Sequence, residues 1–268
     1  MFTREKHSMS ILPVESRTID RMQVYIFESK EKLGQRAAED LAVLLTRLVE
    51  KEGKASVILA TGNSQLDFFR ALRKLKGVPW DKVTLYHMDE YLGMSDQHPA
   101  SFARYIRENL ANSIHPAIFH HIRGDSSDTA SELNRYTNLF REFPPDICVM
   151  GIGENGHLAF NDPPADFETK EVMHLVNLDT RCRTQQVGEG HFPRLDDVPK
   201  RAFSLTIHAL LNVRHALVVV PEARKAIAVK AALQGPVTAD CPASILKTRP
   251  NVILYLDRES ASLLHKIE

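Results

Sequence analysis

Asp146-Ile-Cys-Val-Met150 followed by Gly151-Ile-Gly-Glu-Asn-Gly-His-Leu-Ala-Phe-Asn-Asp162-Pro-Pro joins a short apolar run to a loop with three glycines in six residues. A run of that length bounded by glycines reads as a strand, and the loop leaves its carboxyl end. Working outward, five further runs of the same kind occur: Gln23-Val-Tyr-Ile-Phe27, Ala55-Ser-Val-Ile-Leu-Ala60, Val83-Thr-Leu-Tyr-His87, His215-Ala-Leu-Val-Val-Val220 and Asn251-Val-Ile-Leu-Tyr-Leu256. Helical patterns separate them. Leu33, Ala37, Leu41, Leu44, Leu45 and Leu48 recur at helical spacing and predict one crossover helix, ended by Gly53. Pro221 and Gly235-Pro236 predict another across 222–234. Strands alternating with helices predict an α/β fold, a mostly parallel sheet covered by helices. The region from Pro163 to Lys200 has no clear period and reads either as a mobile lid or as an added small hairpin. Residues 1–20 read as a surface arm, and 21–268 as a single domain.

Composition narrows the function. Lys plus Arg and Asp plus Glu number 34 each, so the formal net charge is zero and no global field gathers nucleic acid or an anionic membrane. An anion must be bound locally. No apolar stretch approaches the roughly 20 residues that cross a bilayer, and Thr3-Arg4-Glu5-Lys6 is not the start of a signal peptide, so a cytoplasmic location is expected. The three cysteines, Cys148, Cys182 and Cys241, form no Cys-x-x-Cys pair, and no metal site is expected.

In open α/β sheets ligands bind where loops leave the carboxyl ends of strands. Three such loops carry chemistry. Thr61-Gly62-Asn63-Ser64 follows the second run and opens a helix, a setting in which glycine admits an anion close to the backbone; an ordinary cap is the competing reading. Met88-Asp89-Glu90-Tyr91 follows the third run. Adjacent acids there point to opposite sides, and Asp89 is the one expected to face a cleft as a base. The glycine-rich loop presents His157, whose imidazole can shuttle a proton near neutral pH, with Asn155 and Asp162 near enough in sequence to orient it.

Taken in order, Leu59-Ala-Thr-Gly-Asn-Ser64, Met88-Asp-Glu-Tyr-Leu-Gly93, His98-Pro-Ala-Ser101 and the loop Gly151 to Asp162, together with Asp179-Thr-Arg181 and Ala223-Arg-Lys-Ala226, resemble the glucosamine-6-phosphate deaminase family. The resemblance implies a Rossmann-like three-layer sandwich related to the 6-phosphogluconolactonases, chemistry without a cofactor, and an amino-sugar phosphate as the small-molecule partner. By that resemblance Asp89 moves a proton between C2 and C1 and His157 opens the sugar ring with help from Asn155 and Asp162. Thr61 to Ser64 and Lys225 then receive the phosphate. Two departures stand out. Asn155 and Asp162 occupy positions where some members have aspartate and where glutamate is usual, and Gln186 stands where an arginine is expected, so Arg183 or Arg181 is expected to take over the phosphate contact. A related lactone hydrolase and a sugar-phosphate sensor without catalysis are the alternatives. Relatives include monomers and larger assemblies, so a homo-oligomer is compatible with the resemblance.

Overall fold

The structure is a computed structural model in which residues 11–265 are described. The six runs form strands β2 (Met22–Phe27), β3 (Ala55–Leu59), β4 (Val83–His87), β7 (Ile147–Met150), β10 (His215–Val220) and β11 (Val252–Asp257). With β1 (Glu15–Ile19) and β6 (Ile118–His120) they make one sheet in the order β1-β2-β11-β10-β7-β3-β4-β6. Every pair in it is parallel except β1 with β2. A second, antiparallel sheet has the order β5-β9-β8, built from β5 (Asp89–Tyr91), β8 (Met173–Asn177) and β9 (Arg201–Leu205).

The apolar runs lack polar alternation because both faces of the large sheet are covered. Val57 and Leu59 of β3 enter one core cluster and Ile58 the other; in β10, Leu217 and Val219 join the first while Ala216, Val218 and Val220 join the second. The helix Lys30–Glu52 lays Leu33, Ala37, Leu41, Leu45 and Leu48 on the first cluster. Ser29 caps its start, and Gly53 ends it at φ 77°, in the left-handed region where a side chain is disfavoured. A third cluster around Tyr91, Phe102, Phe160 and Phe192 fills the space beneath the small sheet.

Two expectations need correction, and one open alternative resolves to the hairpin. Of the expected surface arm, residues 1–10 lie outside the described residues, but Glu15–Ile19 is strand β1, because a turn at Asp20 (φ 51°) folds it back onto β2 in register from Glu15↔Ile26 to Ile19↔Met22. Pro221 does not start a helix. The backbone N–H of Glu222 donates to the carboxylate of Asp257 (3.0 Å), Glu222 takes φ 82°, and a 3-10 turn, Ala223–Lys225, precedes the helix Ala226–Gln234. Between Pro163 and Lys200 the chain is an elaborated hairpin: β8 pairs with β9 from Met173↔Leu205 to Asn177↔Arg201, and the helix Thr180–Gly188 stands where a tight turn would close it.

Candidate active site

From β3 the chain proceeds outward to β4 and β6, then returns to place β7 on the other flank of β3. Loops after β3 and β7 therefore diverge, and a crevice opens between them at the carboxyl ends of the strands. Thr61, Gly62 and Ser64 from the first loop, Asp89 after β4, His157 after β7 and Lys225 after β10 line this one cleft.

Gly62 adopts φ +96°, a conformation that suits glycine, and its carbonyl accepts from the Tyr105 hydroxyl at 2.8 Å. That turn aims Thr61 and Ser64 into the cleft. Asn63, expected with them, is turned away: its Nδ2 donates to the carbonyl of Glu189 at 3.3 Å and it does not line the cleft.

Asp89 is 7% exposed, and burial, aided by the neighbouring charge of Glu90, pushes its carboxyl up to about 8. Glu90 points the other way. Its carboxylate accepts from the Ser101 hydroxyl (2.8 Å) and from the backbone N–H groups of Tyr91 (3.0 Å), Phe102 (3.3 Å) and Ala103 (3.1 Å), closing the start of the helix Phe102–Ile106. One acid is thus structural and the other is turned to the cleft. The strand that carries Asp89 is registered by β9, where Asp89 pairs with Ser204. The same β9 holds the histidine loop: Ser204 Oγ accepts from the Phe160 N–H at 3.1 Å, and Asn161 Nδ2 donates to the Leu205 carbonyl at 2.8 Å.

The imidazole of His157 lies directly over Gly153, where an added Cβ would come within 2.3 Å of the ring. Its Nδ1 sits 3.1 Å from Asp162 Oδ1, which leaves Nε2 as the nitrogen for a substrate oxygen. Asn155 does not touch the ring. Its Nδ2 donates to Asp162 Oδ1 (2.9 Å) and its Oδ1 accepts from the backbone N–H of His157 (3.1 Å), so the amide braces the loop and the carboxylate orients the ring. Burial would raise the Asp162 carboxyl, but the close approach and charge of His157, with the hydrogen bond from the Asn155 amide, hold it below its usual range. Cys182 brings its sulfur to this pair, with the ligand atoms of His157, Asp162 and Cys182 all within 4.8 Å of one another. Burial pushes that thiol upward, away from the thiolate form a metal would need.

Lys225 is 4% exposed and has neither hydrogen-bond nor ion-pair partner among the described residues, so its ammonium is a buried charge facing the cleft without a directly bound partner. Burial lowers its pKa. Arg183, expected to hold the phosphate, does not reach the cleft: its Nη2 donates to the carbonyls of Leu195 (2.6 Å) and Val198 (3.1 Å), and it pins the loop after the helix Thr180–Gly188. Gln186 does line the cleft, and its Oε1 accepts from the Tyr91 hydroxyl at 2.9 Å. The residue missed by sequence reading is Glu189. Its carboxylate lines the cleft beside Gly62.

Residues 28–254 match the family model for glucosamine-6-phosphate isomerases/6-phosphogluconolactonase. The chain belongs to this family. Within it, the chain is 35% identical to a glucosamine-6-phosphate deaminase of Exiguobacterium sibiricum over 234 residues, covering 87% of this chain and 91% of the relative. A glucosamine-6-phosphate deaminase of Streptococcus suis is 36% identical over 228 residues, covering 84% and 95%. Among solved structures, a monomeric glucosamine-6-phosphate deaminase superposes with a TM-score of 0.82 at 30% identity, covering 90% of this chain and 99% of that one. A 6-phosphogluconolactonase from Shewanella baltica superposes at 0.72 with 22% identity, covering 87% and 96%, a likeness of fold alone. The sandwich architecture and the family expected from the sequence are both borne out.

Proposed function

We propose that the chain is an isomerising deaminase that converts an amino-sugar phosphate, with glucosamine 6-phosphate the preferred substrate, to the ketose phosphate and ammonia. His157 Nε2 takes and returns the proton that opens the sugar ring, with Asp162 steadying the imidazolium through Nδ1. Asp89 then removes the proton from C2 of the open chain and delivers it to C1, while one proton passes from the 2-amino group to O1, leaving an imine at C2 and a hydroxyl at C1. Water adds there and ammonia departs. No group outside the side chains is needed for these steps.

The observation that carries the reading is the pairing of a desolvated carboxylate and an oriented imidazole in one cleft with an unneutralised ammonium, Lys225. A base whose pKa lies near neutrality suits proton abstraction next to a carbonyl or imine, and a buried cation with no direct partner suits a phosphate at the far end of the sugar. The deaminase relatives support the same chemistry, whereas likeness to the lactonase reaches the fold only. Among the described residues no helix is long and apolar enough to cross a membrane, and we place the enzyme in the cytoplasm, where phosphorylated sugars are found.

The test is an incubation with glucosamine 6-phosphate, its galacto epimer, unphosphorylated glucosamine and 6-phosphogluconolactone, with ammonia and acid release recorded. Ammonia is expected from glucosamine 6-phosphate first. Acid from the lactone with no ammonia from any amino sugar overturns the proposal.

A further inference from the structure

Glu189 stands against the phosphate-receiving loop: a Cβ added at Gly62 would lie 3.7 Å from its Oε2. Burial would raise its carboxyl, but the nearby His191 and the hydrogen bonds from Gln185 and Arg224 hold it down at about 2, so it is ionised. Arg224 Nη1 and Gln185 Nε2 each donate to Oε1 at 2.8 Å, and His191 Nε2 lies 3.4 Å from Oε2. This is a donor set that would serve a phosphate oxygen equally well. Around it are two cations, Arg224 and Lys225, and two further carboxylates, since Arg224 also pairs with Glu154 (3.2 Å) and Glu222 (2.8 Å). A dianion entering while Glu189 keeps its place would meet a like charge at short range in a poorly solvated site.

Glu189 has the means to leave. It follows the last residue of the helix Thr180–Gly188 and lies between Gly188 and Gly190, at neither of which would an added Cβ meet anything within 4 Å. Gly190 is at φ +82°. Arg224 lines the pocket adjoining the cleft with Glu154 and Gln185, and Glu189, which borders the cleft, stands on its Nη1; departure of Glu189 removes the group between that nitrogen and the cleft, while Glu154 and Glu222 remain as partners of the guanidinium.

We infer that Arg224 is a second cation of the phosphate subsite and that Glu189 is its intramolecular placeholder, the substrate phosphate taking the oxygen positions that Glu189 gives up. Lys225 then meets the same phosphate from the other side. The inference rests on the reading of this cleft as one for a phosphorylated amino sugar, and it assigns a specificity role to two residues that take no part in the proton transfers.

Calorimetric titration of the full chain with inorganic phosphate at pH 7.5 tests it without need of turnover. Glu189→Gln and Glu189→Ala are both made, with circular dichroism to verify folding, and either folded variant is expected to bind phosphate about tenfold tighter or more, for loss of one like charge. Arg224→Gln, placed in the Glu189→Gln background, is expected to return about tenfold of that affinity. Unchanged or weaker phosphate binding on removal of the Glu189 charge overturns the inference, as does an Arg224 substitution without effect in that background. Ammonia release is followed in parallel. Ammonia from glucosamine 6-phosphate with phosphate affinity insensitive to Glu189 overturns this inference alone, and the reverse pattern overturns the deaminase proposal while supporting the placeholder.

Discussion

Gly153→Ala should disable the histidine without touching it chemically. The new methyl carbon would stand 2.3 Å from both Cε1 and Nε2 of His157 and 2.4 Å from Cδ2. Nonbonded carbons approach to about 3.5 Å, so the ring must withdraw by roughly 1.2 Å. A ring shift of that size carries Nε2 from its station by a similar amount and disturbs the 3.1 Å approach of Nδ1 to Asp162. A misplacement of about 1 Å costs on the order of 100-fold in rate, or roughly 2.7 kcal/mol of transition-state stabilisation. The backbone contributes little, because Gly153 is absent from the glycines at positive φ. At Gly151, two residues earlier, an added Cβ meets its nearest neighbour, Gln65 Nε2, at 3.4 Å, and the same substitution there should cost less than about tenfold. The assay is kcat/KM for ammonia release from glucosamine 6-phosphate, with phosphate affinity as the measure that the remainder of the cleft is intact. A Gly153→Ala enzyme within about twofold of the parent would refute the reasoning, since it would mean that the ring can shift without loss.

Further outcomes are expected. Asp89 must be ionised to act as a base, and its carboxyl is raised to about 8, so kcat/KM should climb with pH through that value; a profile flat from about pH 6 to 9 contradicts its assignment. Asp89→Asn should lower kcat by about 10²–10⁴-fold while phosphate binding persists, and loss of binding would show a different role. Lys225→Ala removes a charge-assisted contact worth ~1.5–3 kcal/mol, which predicts a KM for the phosphorylated substrate raised about 10- to 100-fold; an unchanged KM moves the phosphate elsewhere. Glu90→Ala strips acceptors from the Ser101 hydroxyl and three backbone N–H groups and should cost about 3 kcal/mol or more in urea unfolding, with a loss under about 1 kcal/mol arguing against a structural role.

The large sheet was legible because its strands are buried on both faces and therefore appear as unbroken apolar runs between helical patterns. Strands that violate that condition were not. β5 reads as Asp-Glu-Tyr, two acids and an aromatic, and becomes a strand only because β9, more than a hundred residues later, supplies its partner. β8 is half exposed and meets β9 across an intervening helix. The site followed the same division. Asp89, His157, Thr61, Gly62 and Ser64 sit on loops fixed by the large sheet, and strand-end position sufficed to place them at one cleft, whereas Lys225 came from the resemblance alone. Asn63, Arg183 and Asn155 were placed in roles that depend on where a side chain turns. Each turned toward a backbone group or carboxylate supplied by the tertiary structure. Glu189 escaped notice because it comes to Arg224 from 35 positions away, by the course of a helix with little apolar pattern of its own.

The double grip of β9, on Asp89 through Ser204 and on the histidine loop through Ser204 and Leu205, has a consequence for how this scaffold can be altered. One five-residue strand acts as a ruler for Asp89 and the histidine loop, whereas Glu189 borders the loop at Gly62 from the turn at Gly188 to Gly190, which lies in the connection between β8 and β9 and outside the strand itself. Recognition can therefore be retuned at that turn, by lengthening it or exchanging its charge, while the acid and the imidazole keep their mutual spacing.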